Sequence, residues 1–132
     1  MNVKILMTAS ALFSGVLGIS FIFFPDDIVS YLGIEANTIT LIFLQLLSSL
    51  YLGFAILNWM AKGTLIGGIY NRPIAIGNFM HFGVGAITLV KLVFNIQVHT
   101  EIIILLTILY VIFAIAFAYV FMTNPSKIAA EK

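Results

Sequence analysis

Residues 102–122 read Ile-Ile-Ile-Leu-Leu-Thr-Ile-Leu-Tyr-Val-Ile-Phe-Ala-Ile-Ala-Phe-Ala-Tyr-Val-Phe-Met, 21 residues without a charge. An α-helix rises about 1.5 Å per residue, so a run of this length crosses roughly 30 Å of hydrocarbon. Three more such runs fill most of the remaining chain: Ile5–Phe24, Ile39–Ala61 and Ile74–Phe94, of 20, 23 and 21 residues. Lys91 is the only charge inside any of the four. The chain is 62% hydrophobic and 8% charged, where a soluble domain carries about 25% charged residues. The expected fold is therefore all-α, a polytopic membrane protein forming an antiparallel bundle of four transmembrane helices. With 132 residues and short joins, one domain covering 1–132 is expected.

Composition also excludes. A net charge of +1 gives no electrostatic case for nucleic acid, and no nucleotide-binding or zinc spacing is present. The absence of cysteine removes disulfides, iron–sulfur clusters and thiol relays. His81 and His99 lie too far apart along the chain to ligate one iron from one protomer. No cofactor or metal is expected. Between Ile39 and Met122 the only acid is Glu101, at a rim, which counts against an antiporter built on a buried glutamate. The first run exceeds the 7–15 residues of a signal-peptide core and ends Phe21-Ile22-Phe23-Phe24-Pro25, without a small-residue cleavage site. It is expected to be retained as a helix.

The basic residues sort by side. Lys4, Lys62, Arg72, Lys127 and Lys132 fall on one face of the expected topology and Lys91 near the other, five of six. Basic segments stay in the cytoplasm during insertion, so both termini are expected there. In the first outer loop, Pro25-Asp26-Asp27-Ile28-Val29-Ser30-Tyr31-Leu32-Gly33 places Pro and acids at a helix start and Gly at its stop. A two-turn helix lying on the outer membrane surface is expected, its apolar face made by Ile28, Val29, Tyr31 and Leu32. The inner join, with Gly63, Gly67 and Gly68, is expected to be irregular, with Pro73 in the first turn of the next helix. Trp59 and Tyr70 mark an inner aromatic belt, Phe24 and Phe94 an outer one.

Lipid is as apolar as leucine, so helices in a membrane associate through close backbone approach and polar contacts. Stripes at i, i+4 spacing supply such faces: Ser10, Ser14 and Gly18; Gln45, Ser49 and Gly53; Gly77, His81 and Gly85; Ala114 and Ala118. The third span also carries Asn78, Thr88 and Lys91, which with His81 share an arc of about 140° at 100° per residue. Lys91 lies near the helix end, where it can snorkel to the surface. Ionisable groups at membrane depth usually face the protein interior. His81, Asn78, Asn58, Ser14 and Tyr110 are thus the candidate lining of a small ligand-binding cavity. Against this stands the simpler reading of His81 as a neutral core histidine joining helices.

The layout of four spans, with the Phe24-Pro25-Asp26-Asp27…Tyr31-Leu32-Gly33 segment after the first, resembles the small four-helix bacterial membrane proteins of the DoxX-like group. Leu57-Asn58-Trp59-Met60-Ala61-Lys62 and Tyr70-Asn71-Arg72-Pro73…Gly77-Asn78-Phe79-Met80-His81 look like the signature of an uncharacterised subgroup. The resemblance implies a bacterial inner-membrane location and carries no catalytic residue over. Membrane proteins of glutathione and eicosanoid metabolism fit less well: Arg72 and Asn78 occur without the following Glu and on the wrong helix.

The function expected from these features is a non-enzymatic bundle that binds a small lipophile or a partner membrane protein, or assembles with copies of itself. A membrane enzyme or redox accessory subunit acting on a quinone or lipid-like substrate is the alternative, with His81 as proton donor. A small transporter or channel comes third, because only one span carries a polar stripe.

Overall fold

The computed structural model describes residues 2–64, 71–95 and 100–123. The features expected at Gly67, Gly68, Tyr70, His99, Lys127 and Lys132 lie outside the described residues. Five helices follow in order: α1 (Val3–Phe23), α2 (Pro25–Tyr31), α3 (Thr38–Ala61), α4 (Arg72–Val93) and α5 (Thr100–Met122). No strand occurs among the described residues. Helices α1, α3, α4 and α5 are long and apolar enough to cross a membrane. At most 33% of the most apolar window in any of them is buried within the chain. Leu12, Val16, Phe43, Met60, Ile87 and Ile115 all face outward. A water-soluble monomer rarely exposes apolar surface on this scale. The chain is a multi-pass membrane protein.

Each long helix starts up to two residues before its apolar run, because polar residues belong to the first turn. The Asn2 side chain accepts from the backbone N–H of Lys4 (3.1 Å) and Ile5 (3.4 Å). Asn37 does the same for Thr40 (2.9 Å) and also accepts from the Thr40 hydroxyl (3.1 Å). Both satisfy donors that a helix start leaves without intrahelical partners. Pro73 stands in the first turn of α4, and Lys91 in its last turn faces the negative end of the helix dipole.

The short helix α2 starts and stops where its sequence predicts. Pro25 begins it, and Asp26 and Asp27 occupy the first turn. At its end Gly33 takes a left-handed φ of 69°. There the Gly33 N–H donates to Ser30 O and the Ile34 N–H to Val29 O, both at 3.0 Å. This paired closure needs a residue without a Cβ penalty at positive φ. Helix α2 packs on α3 with Val29 buried, and Tyr31 is exposed.

Contacts divide the chain into two compact units, Met7–Ala61 and Met1–Leu6 with Lys62–Lys132. In the first, α1 lies against α3. Asn58 Nδ2 donates to Ser10 Oγ at 3.1 Å, and Ser48 Oγ donates to Gly18 O at 2.6 Å. Phe21 meets Tyr51 edge-on at 5.5 Å. A Cβ on Gly18 would stand 2.8 Å from Leu52 Cγ and 3.1 Å from the Leu52 nitrogen, so only glycine permits this approach. A Cβ on Gly15 would meet that of Ala55 at 3.7 Å. Along α1 the partners run 10 with 58, 15 with 55 and 18 with 52, falling as α1 rises.

In the second unit α4 lies on α5. Phe82 is wholly buried, stacked on Phe113 (4.7 Å) and Phe117 (5.8 Å) and edge-on to Tyr110 (5.3 Å). Arg72 lies over the Phe121 ring at 5.3 Å. Such aromatic pairs add about 0.5–1.5 kcal/mol each beyond their buried area.

Two of the expected packing stripes are corrected. On α3, Gln45, Ser49 and Gly53 are exposed, and the buried positions are Ser48, Tyr51, Asn58 and Ala61. Ser48 and Asn58 find partners on α1, whereas the Ser49 hydroxyl turns back to Leu46 O at 2.7 Å. On α5, Ala114 and Ala118 are only half-buried. The centre of its face is Tyr110, Phe113 and Phe117, which fill the space against Phe82. The Ser10, Ser14 and Gly18 stripe of α1 is buried as expected. On α4, Gly77, His81 and Gly85 flank a buried line of Ala75, Asn78, Phe82 and Ala86.

Candidate functional site

Asn78, His81 and Tyr110 belong to the α4–α5 unit. Asn78 is fully buried, and its side-chain amide donates to Ile74 O one turn back at 2.9 Å. His81 lies one turn further along α4 and is half-buried, with its Nε2 shielded. Its ring stands edge-on to Phe82 at 4.9 Å and tilted against Tyr110 at 5.9 Å. Tyr110 is buried, and its ring occupies the space that a side chain on Gly85 would need. Gly85 therefore sets how closely Tyr110 can lie to α4. The result is two protic side chains, an imidazole and a phenol, brought side by side within an aromatic cluster.

Asn58 and Ser14 belong to the α1–α3 unit. Asn58, Ser10 and Ser14 are all fully buried. Asn58 donates to Ser10 Oγ, and Ser10 Oγ in turn donates to Met7 O at 3.1 Å. Ser14 Oγ, one turn along α1, has no hydrogen-bond partner among the described residues. In hydrocarbon a buried polar atom is costly unless paired. Ser14 is thus the polar group of this unit whose presence packing does not explain. The five candidate residues accordingly fall into two groups, His81 beside Tyr110 with Asn78 on the same helix, and Asn58 with Ser14.

The same unit contains a feature that reading the sequence missed. Ala11 and Leu12 of α1 with Ala55, Ile56 and Trp59 of α3 line an open groove of about 300 Å³. That volume lies at the lower end of pockets that bind small molecules, roughly 300–1,000 Å³. Its walls are outward-facing: Leu12, Ile56 and Trp59 are exposed, while Ala11 is buried beneath them. The sequence signal was present in two alanines one turn from larger apolar residues, with Trp59 nearby. Alanines are so common in apolar spans that this pattern alone carries little.

Among the described residues, no three His, Cys, Asp or Glu side chains converge as a metal centre would require. No protein-family model matches the chain, and no curated protein or solved structure matches it significantly.

Proposed function

We propose that this multi-pass protein binds a small lipophile without transforming it, as an antiparallel bundle in a bacterial inner membrane with both termini in the cytoplasm. The observation that carries the binding role is the apolar groove of about 300 Å³ between α1 and α3. It opens sideways between exposed walls, the route by which a molecule dissolved in lipid would enter. The antiparallel order is supported by the falling register of α1 against α3, and the cytoplasmic termini by the basic residues. Helix α2, with its exposed acids, suits the outer membrane surface. That layout is also what supports a place near the DoxX-like proteins.

The test is to purify the chain in a mild neutral detergent and extract what remains bound. One retained lipophile per chain is expected, displaced in Ile56→Trp, where a larger ring on an exposed wall fills the groove. A wild-type protein that retains no lipophile overturns the binding role.

The pairing of His81 with Tyr110 favours a second reading, a redox accessory subunit that holds a quinone through protic side chains. In that case the extract contains a quinone, and His81→Gln loses it while the fold is kept.

A further inference from the structure

We infer that two copies of this chain pair in the bilayer through α3, with Gln45 of one copy hydrogen-bonded to Gln45 of the other.

Gln45 stands six residues inside the apolar run that begins at Ile39, about 9 Å along the helix at 1.5 Å per residue. Its side chain is exposed, so at that depth it faces lipid tails. A primary amide carries two donors and an acceptor, and this one makes no hydrogen bond among the described residues. Ser49 and Thr88, also exposed within spans, turn their hydroxyls back to Leu46 O (2.7 Å) and Val84 O (3.0 Å). Asn78 does the same with Ile74 O at 2.9 Å. Gln45 differs from all three. Its polar atoms meet hydrocarbon, where an unsatisfied group is costly.

The chemistry of the amide selects the partner. A lipid tail offers it nothing. No charge lies between Thr38 and Ala61, so a charged helix finds no counter-ion on α3. An amide is its own complement: the N–H of each donates to the C=O of the other. Copies inserted the same way hold α3 parallel, and a two-fold axis along the membrane normal sets each residue against itself at equal depth. No other partner brings an amide to this level by symmetry alone. Ile42 and Ser49, both exposed, share with Gln45 an arc of about 60° at 100° per residue. Ser49 is small and its hydroxyl is satisfied, so a second helix can approach closely there without burying an unpaired donor. None of these three residues lines the groove, so failure of the pairing leaves the lipophile role standing.

The chain has no cysteine, so a single introduced thiol reports on one position. Ile42→Cys, reconstituted in neutral phosphatidylcholine vesicles and mildly oxidised, is expected to give a disulfide-linked dimer. Val16→Cys, exposed as well but on α1, is expected to give little. Adding Gln45→Leu to Ile42→Cys should reduce the linked fraction, with association weakened by about tenfold through loss of two reciprocal bonds. Leucine is the more apolar residue, so that loss cannot come from a weaker apolar contact. Gln45→Asn keeps donor and acceptor and should retain most of the link. Unchanged helical circular dichroism shows that each variant folds. Absence of a linked dimer in Ile42→Cys overturns the pairing. So does a link formed as readily at Val16→Cys, or one that survives Gln45→Leu undiminished.

Discussion

Asn58 and Ser14 sit one helix apart in the same unit, equally buried, and differ in whether a partner meets them. A hydrogen bond between membrane helices is worth about 0.6 kcal/mol on average and up to about 1.7. Loss of the bond to Ser10 in Asn58→Leu is therefore expected to cost about 1–2 kcal/mol, with Ser10 keeping its bond to Met7 O. Asn58→Asp brings a charge to membrane depth and is expected to cost more, about 2.5–3.5 kcal/mol. Unfolding in detergent by denaturant measures both. Ser14→Ala removes a buried hydroxyl that has no partner among the described residues, and should be neutral or stabilising by up to about 1 kcal/mol. A loss of stability at Ser14 would mean that a bound molecule satisfies it, and would return this serine to the list of site residues. At Gly85 a methyl group would displace the Tyr110 ring from its place beside His81.

At the scale of the element, two glycines give opposite expectations from the same substitution. Gly18 approaches Leu52 so closely that Gly18→Ala must push α1 from α3 and lengthen the Ser48 bond to Gly18 O. Overpacking of this kind costs about 1–3 kcal/mol. Gly53 has nothing within 4 Å of where its Cβ would stand. Gly53→Ala should thus stabilise α3 by up to about 1 kcal/mol through helix propensity alone. Had the Gln45, Ser49 and Gly53 stripe been the packing face, Gly53→Ala would destabilise instead, so thermal melting of this one variant separates the two arrangements. For α2, Gly33→Ala forces a side chain into the left-handed region at about 1–2 kcal/mol. The loss should appear as faster hydrogen exchange at the Ile34 amide, which closes on Val29 O.

For the whole molecule, the outward apolar surface means that stability belongs to the chain in lipid or detergent. The proposed topology places Lys4, Lys62 and Arg72 on one side and Lys91 on the other. A reporter fused at the C-terminus and active only outside the cytoplasm should stay silent. Strong activity from it would invert the orientation and put α2 on the inner surface.

How far the sequence alone reaches follows from what lipid rewards. Spanning helices need only length and apolarity, so the four long helices are legible to within two residues at either end. The residual error comes from first turns that begin in polar residues such as Thr38, Arg72 and Thr100. Helix α2 was legible too, because Pro25 and Gly33 act through local backbone geometry. The buried faces were not. A soluble helix marks its inner face by an apolar stripe against polar residues, but a helix apolar all round carries almost no such contrast. Small residues at i, i+4 were the substitute signal, and they hold on α1, where Gly18 meets Leu52. They mislead on α3 and α5, where Ser48, Asn58 and the Phe82–Phe113–Phe117 stack decide the contact. The groove beside Trp59 likewise arises only when α1 and α3 meet, since it is a shape between two helices and belongs to neither sequence alone.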